Sequence, residues 1–195
     1  MKKSIIYWNI SIYRLLMSVL YLGKYKRRFE RINALLKPNS NTVIELCFGD
    51  IHIAEHCKKN GIDWKGYDIN EHFVRNATRL NYNAILKDVN TLDVFEICDT
   101  YIITGSLYHF KNDSIEILRK MIASSKQVIV SEPIKNISTT KGFVGTIASW
   151  LANAGNGTER FRFNEATFLA ILNELNANYK IIAIDKDILI QITND

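Results

Sequence analysis

YKIIAI-DKD-ILIQIT, residues 179–193, is a pair of isoleucine-rich runs separated by only three polar residues. Parallel strands need a crossover of a dozen residues or more, so 179–184 and 188–193 pair antiparallel as a hairpin. Just upstream, Phe168, Ile171, Leu172 and Leu175 recur at helical spacing and predict a helix over 164–175. The hairpin therefore closes an architecture in which a helix delivers the chain to the last two strands.

Further upstream, strand and helix signals alternate. TVIEL (42–46), WKGYD (64–68), NAILK (83–87), YIIT (101–104) and QVIVSE (127–132) read as strands. Helical patterns fill 51–60, 70–79 and 113–123, with a brief helical turn near 91–96. Strands separated by helices of this length imply βαβ units with right-handed crossovers and helices on both faces. The expected fold is α/β: a doubly wound, mostly parallel seven-stranded sheet with a C-terminal antiparallel hairpin. Two further helical stretches, about 9–21 and 24–36, end at Pro38-Asn39-Ser40-Asn41. They predict an N-terminal helical cap, 1–37, on a Rossmann-like domain, 38–195. Residues 133–160 break the rhythm with four of the nine glycines and a lone Trp150. A connection this long suits a lid or substrate loop, here with a short helix over 144–152.

Composition sets the outer limits. The 195 residues are ordinary for one globular domain, and the three cysteines (Cys47, Cys57, Cys98) have no zinc-type spacing. They read as reduced thiols of a cytoplasmic protein. His52 and His56 stand at i, i+4, but no third ligand accompanies them, so no metal is expected. The net charge of +5 is uneven: residues 1–37 carry nine Lys/Arg against Glu30 alone. Lys24, Lys26, Arg27, Arg28 and Arg31 dominate that excess. Ile12, Leu15, Leu16, Val19 and Leu20 form one helical stripe nearby. That stripe packs on its own domain or, with the basic segment, meets an anionic membrane peripherally. The first 22 residues are too short and too polar to span a bilayer.

The chemistry centres on VIELCFGDIHIAEH, residues 43–56: a strand ending in an acid, then a glycine-containing turn into a helix. A carboxylate at a strand's carboxyl end accepts from a ligand amino group, and the turn lets backbone approach the ligand closely. Asp68 closes the second strand, where a carboxylate can hold ribose hydroxyls or, alternatively, cap the next helix. Asp88 after the third strand has the same two readings.

The turn and the terminal hairpin together resemble the class I (Rossmann-like) S-adenosylmethionine-dependent methyltransferases. The resemblance covers most of the chain, with its specific motifs confined to 43–110 and the hairpin. It implies S-adenosylmethionine as cofactor, with Glu45, Cys47, Phe48, Gly49 and Asp50 forming the first motif. Cys47 and Ile51 stand where the family's first and last motif glycines usually are, and Ile51 is the true departure. Asp68 and Ile69 would face the ribose, Asp88 and Val89 the adenine, and Thr104, Gly105 and Ser106 would line the crevice. His109 and Glu132 are the candidate bases for the acceptor. Tyr13, Tyr21 and Arg28 fit a pattern that closes over the site and meets substrate. The implied acceptor is small or lipid-linked; the Asn-Pro-Pro-aromatic signature of base methylation is absent, which argues against nucleic acid. Two alternatives stay open: a non-catalytic binding or assembly protein with a degenerate cofactor site, for which Ile51 argues, and a nicotinamide-dependent reductase.

Overall fold

The computed structural model describes residues 10–21, 23, 25–36, 40–135 and 161–194, the side chains of 10–12, 16 and 20 excepted. The expected helix over 144–152, Trp150, Lys24 and Pro38 lie outside the described residues. In chain order the elements are α1 (Ile10–Leu20), α2 (Tyr25–Asn33), β1 (Thr42–Leu46), α3 (His52–Lys59) and β2 (Asp63–Asp68). Next come α4 (Glu71–Arg79), β3 (Asn83–Leu86), β4 (Cys98–Thr104), α5 (Ser114–Ala123) and β5 (Ser125–Pro133). The chain closes with α6 (Glu165–Leu175), β6 (Tyr179–Ile184) and β7 (Asp187–Thr193). Among the described residues no helix is long and apolar enough to cross a membrane.

The seven strands form one sheet in the order β3-β2-β1-β4-β5-β7-β6. β1 to β5 are parallel, and β7 runs antiparallel to both β5 and β6, as the short 185–187 link demands. Strand alternation sorts the core onto two faces. Ile44, Leu46, Tyr101 and Ile103 pack with Leu118, Phe168 and Leu172 on the side of α5 and α6. Val43, Ile102 and Ile129 pack with Ile32, Ile53 and Phe73 on the side of α2, α3 and α4. Each fully buried aliphatic or aromatic side chain contributes about 1.5–3 kcal/mol of transfer free energy. The helices begin on local signals: Asn70 accepts from the His72 amide before α4, and Asn164 and Thr167 form a reciprocal capping box before α6.

Three expectations are corrected. The brief helical turn lies at Val89–Thr91 rather than 91–96, because Asp88 accepts from the Asn90 amide and starts it early. Pro133, expected to open the insertion, belongs to β5, where it pairs with Asp187. Two members of the aliphatic stripe of α1 do not pack on the domain: Leu15 is 68% exposed and Val19 63%. The helix is instead turned by Arg14, which pairs with Asp50, and by Tyr13, whose ring meets Phe73 edge-on at 5.1 Å. Tyr13 and Met17 consequently face the core.

Candidate functional site

β1 pairs with β2 on one side and β4 on the other, so the chain's crossovers diverge there and leave a crevice at the strands' carboxyl ends. The turn after β1 lines it. Cys47 takes a left-handed backbone (φ 54°) and its amide donates to the Tyr67 carbonyl at 2.7 Å. That conformation costs a non-glycine residue about 1–2 kcal/mol. Gly49 is left-handed too (φ 57°), and a Cβ there would come within 3.4 Å of the Tyr13 hydroxyl. Tyr13 thus closes over the glycine from α1. Ile51 does not obstruct the crevice: it is 3% exposed and packs in the core with Phe48, Trp64 and Phe73. Its φ of −86° needs no glycine.

The acidic side chains divide by partner. Asp68 accepts from the Gly49 amide at 2.9 Å and from the Asn70 amide at 2.7 Å. Burial pushes its carboxyl up to about 6, although those backbone amides pull the other way. Glu45 is completely buried; one oxygen accepts from the Trp64 indole at 3.0 Å and the other has no partner. Burial drives its pKa well above the usual carboxylate range. Asp50 is committed to Arg14 (2.7 Å), to the Ile51 amide (2.8 Å) and to His52 (3.3 Å). Burial disfavours its charge, yet His52 and Arg14 outweigh burial and hold it at about 2. Asp88 caps the turn at Asn90, Val89 is buried beside it, and Ile69 is exposed. Phe48 turns into the core against Trp64.

Beyond β4, Gly105 is left-handed (φ 62°), its amide donates to the Ser131 carbonyl, and the Ser106 hydroxyl donates to the Thr104 carbonyl. Among the described residues the buried Thr104 hydroxyl has no hydrogen-bond partner. Burial raises the Cys47 thiol, and the carboxyls of Asp68, Asp88, Glu132 and Glu45 raise it further. Among the described residues, unpartnered polar oxygens on Glu45 and Thr104 and a turn open to close approach fit a ligand that brings N–H and O–H donors.

Tyr21 and Arg28, expected to meet substrate, face inward. Arg28 is buried; its guanidinium donates to the Ser131 hydroxyl (3.0 Å), the Ser131 carbonyl (2.7 Å) and the Tyr21 hydroxyl (2.9 Å), and pairs with Asp187 at 3.0 Å. Tyr21 in turn donates to Asp187. A Cβ at Gly105 would strike the guanidinium at 2.9 Å, so this glycine makes room for it. The cluster pins the cap to β5 and β7.

His109 is exposed, with its ring 4.0 Å from that of Tyr108. Glu132 is completely buried, accepts from the Leu107 amide at 3.1 Å and leaves its second oxygen unpartnered. Burial pushes it up to about 8. It braces the Leu107–Asp113 turn that carries His109. Sequence reasoning missed Ser131 and Asp187, which lie far in sequence from the Arg28 and Tyr21 that they hold.

No family model and no curated protein matches the sequence. Solved structures match the fold. A SAM-dependent methyltransferase from Archaeoglobus fulgidus is 17% identical, with 93% of this chain and 99% of that one covered at a TM-score of 0.67. Magnesium protoporphyrin IX methyltransferase from Synechocystis PCC 6803, with bound SAH, is 16% identical over 92% of this chain and 87% of that one at 0.66. The plantazolicin methyltransferase BpumL, in complex with a monoazolic desmethylPZN analog and SAH, is 15% identical over 95% and 96% at 0.65. At these identities the likeness defines the fold, which is that of the class I methyltransferases.

Proposed function

We propose that the protein is an S-adenosylmethionine-dependent methyltransferase acting on a small-molecule acceptor, free or lipid-linked. The carrying observation is the left-handed Cys47–Gly49 turn at the switch point, with Glu45, Asp68 and Asp88 acting on it and the Glu45 oxygen awaiting a donor. Glu45 would accept from the cofactor's amino group, Asp68 from the ribose hydroxyls, and Asp88 with Val89 would flank the adenine. The bound cofactor supplies a methyl group on a sulfonium whose leaving group is a neutral thioether. The chain's own work is then to orient the acceptor and keep water away. Tyr13, lying over Gly49, closes the crevice from the cap. His109 takes the acceptor proton, and Glu132 positions the turn that presents it. Exposed Leu15 and Val19 on α1, with exposed Lys26 and Arg27 on α2, support a peripheral contact with anionic membrane.

Calorimetric titration with S-adenosylhomocysteine and, separately, NADH tests the reading. Binding of the first alone is expected. Asp68→Asn, which retains one acceptor oxygen for the turn, should weaken it at least tenfold, as loss of about 1.5–3 kcal/mol of charged hydrogen bonding implies. No binding of S-adenosylhomocysteine overturns the reading, and binding of NADH instead replaces it with a reductase.

A further inference from the structure

The cap helix α1 has three sectors. At about 100° per residue, Tyr13 and Met17 fall on its inner side, Arg14 and Ser18 on the next, and Leu15 and Val19 on the outer. The inner sector sits on the turn after β1: the Tyr13 hydroxyl lies over Gly49, its ring meets Phe73, and Met17 packs with the core. The second sector carries the Arg14–Asp50 pair and lines a cleft that Lys26 lines from α2. The outer sector is exposed at both residues, one turn apart. Across the cleft, Lys26 and Arg27 face solvent, whereas Arg28 is buried and Arg31 pairs with Asp185. Glu30 is the one acid of residues 1–37, against nine Lys/Arg. Val94 and Ile97 are exposed more fully, at 81% and 82%, but each directly follows an acid, Asp93 and Glu96. Apolar side chains beside cations suit an anionic surface; apolar side chains beside acids do not.

We infer that the outer face of α1, with Lys26 and Arg27, seats on an anionic lipid bilayer, and that membrane contact and cofactor binding reinforce each other through α1. The inference rests on the methyltransferase reading and adds a partner and a mode of regulation to that site. Burial of Leu15 and Val19 in the headgroup boundary adds to the attraction of Lys26 and Arg27 for anionic lipid. A bilayer against the outer face and a cofactor beneath Tyr13 both favour α1 seated on Gly49 and Asp50. Two ligands that favour one placement of a shared element raise each other's affinity by the same factor. The Arg14–Asp50 pair carries the coupling, because it fastens the helix to the turn.

The test floats the full chain with vesicles of phosphatidylcholine containing phosphatidylglycerol, or of phosphatidylcholine alone, with and without saturating S-adenosylhomocysteine. Binding to the anionic vesicles alone is expected, weakening as salt rises from about 50 to about 150 mM. S-adenosylhomocysteine should tighten it about fivefold or more, with little response in Arg14→Gln. Leu15→Glu with Val19→Glu, and separately Lys26→Glu with Arg27→Glu, should weaken vesicle binding about tenfold or more, while Ile97→Glu leaves it unchanged. S-adenosylhomocysteine affinity without vesicles should match the wild type in these variants, which reports that each is folded. No binding to anionic vesicles, equal binding to neutral ones, or binding that survives either pair of substitutions overturns this inference alone. The same vesicle affinity with and without S-adenosylhomocysteine, or an undiminished response in Arg14→Gln, also overturns it. Self-association without vesicle binding, abolished by Leu15→Glu with Val19→Glu, gives the face to a second copy instead. Failure to bind S-adenosylhomocysteine in solution overturns the function reading and this inference with it.

Discussion

At the β1–β2 end of the crevice, Asp68 and Asp50 hold the backbone amides of the turn; at the β5–β7 end, a buried Arg28–Asp187 pair joins the cap to the sheet. Asp68 grips the Gly49 and Asn70 amides, and Asp50 grips the Ile51 amide. Opposite them, Arg28 of the cap is locked by Tyr21, Ser131 and Asp187. The first end rests on local turns. The second rests on charges that only the finished fold brings together, and its buried ion pair is desolvated on both sides. The difference predicts unequal sensitivity to substitution.

The largest effect is expected at Arg28. Arg28→Ala leaves Asp187 buried with Tyr21 as its remaining partner. Removing one member of a buried pair costs about 3–5 kcal/mol. Asp68→Ala, which frees two amides at the edge of a turn, should cost about 1–3 kcal/mol. Urea unfolding of both variants checks the order. Arg28→Met with Asp187→Leu should recover much of the Arg28→Ala loss, because an apolar pair leaves no stranded charge. Equal losses at Arg28 and Asp68 would erase the distinction between the two ends.

The same distinction explains what could be read from the sequence. The doubly wound, mostly parallel sheet, the hairpin and the acid–turn–helix unit follow from short-range patterns: a three-residue link, Glu45 at a strand end, Asp68 closing the next strand. Ile51 left two outcomes open because the pattern says where a glycine usually is, not which way a substituted side chain turns; the structure turns it into the core. Arg28 and Tyr21 looked substrate-facing because their partners, Ser131 and Asp187, lie more than a hundred residues away. The exposure of Leu15 and Val19 was hidden for the same reason, since the Arg14–Asp50 pair joins residues far apart in sequence.

A pH experiment sharpens the comparison with a smaller effect. Glu132 has a folded pKa of about 8, pushed up by burial, against an unfolded value near 4.5. Below the unfolded value both states are protonated and the group contributes nothing. As pH rises from about 4.5 towards 8, the unfolded chain ionises while the folded one keeps its proton, so stability is lost across that window. Glu132→Gln retains an oxygen for the Leu107 amide and cannot ionise. It should therefore flatten the decline and exceed the wild type in stability at pH 8 by on the order of a few kcal/mol, against less than about 1 kcal/mol at pH 5. Thermal melts across pH 5 to 8 decide this. A parallel decline in both proteins would show that Glu132 already ionises in the fold.

The smallest effect is at Cys47, the one strained non-glycine in the first motif. Its left-handed backbone carries about 1–2 kcal/mol of steric cost that glycine avoids. Cys47→Gly gains that relief, then gives back about 0.4–1 kcal/mol because glycine makes the unfolded chain more disordered. It also gives up the contacts of a side chain that packs against the α5 face of the core. The net gain should be within about 1 kcal/mol. Cys47→Ala keeps the Cβ and hence the strain, loses the sulfur contacts and should fall below the wild type. The informative quantity is therefore the glycine-minus-alanine difference, because both variants lack the thiol. Glycine should come out more stable by roughly 0.5–1.5 kcal/mol, with S-adenosylhomocysteine affinity unchanged or slightly tighter as the turn relaxes. If alanine proves the more stable, residue 47 is not held left-handed in solution. The first motif would then have a different shape from the turn that Gly49 and Asp68 are fitted to.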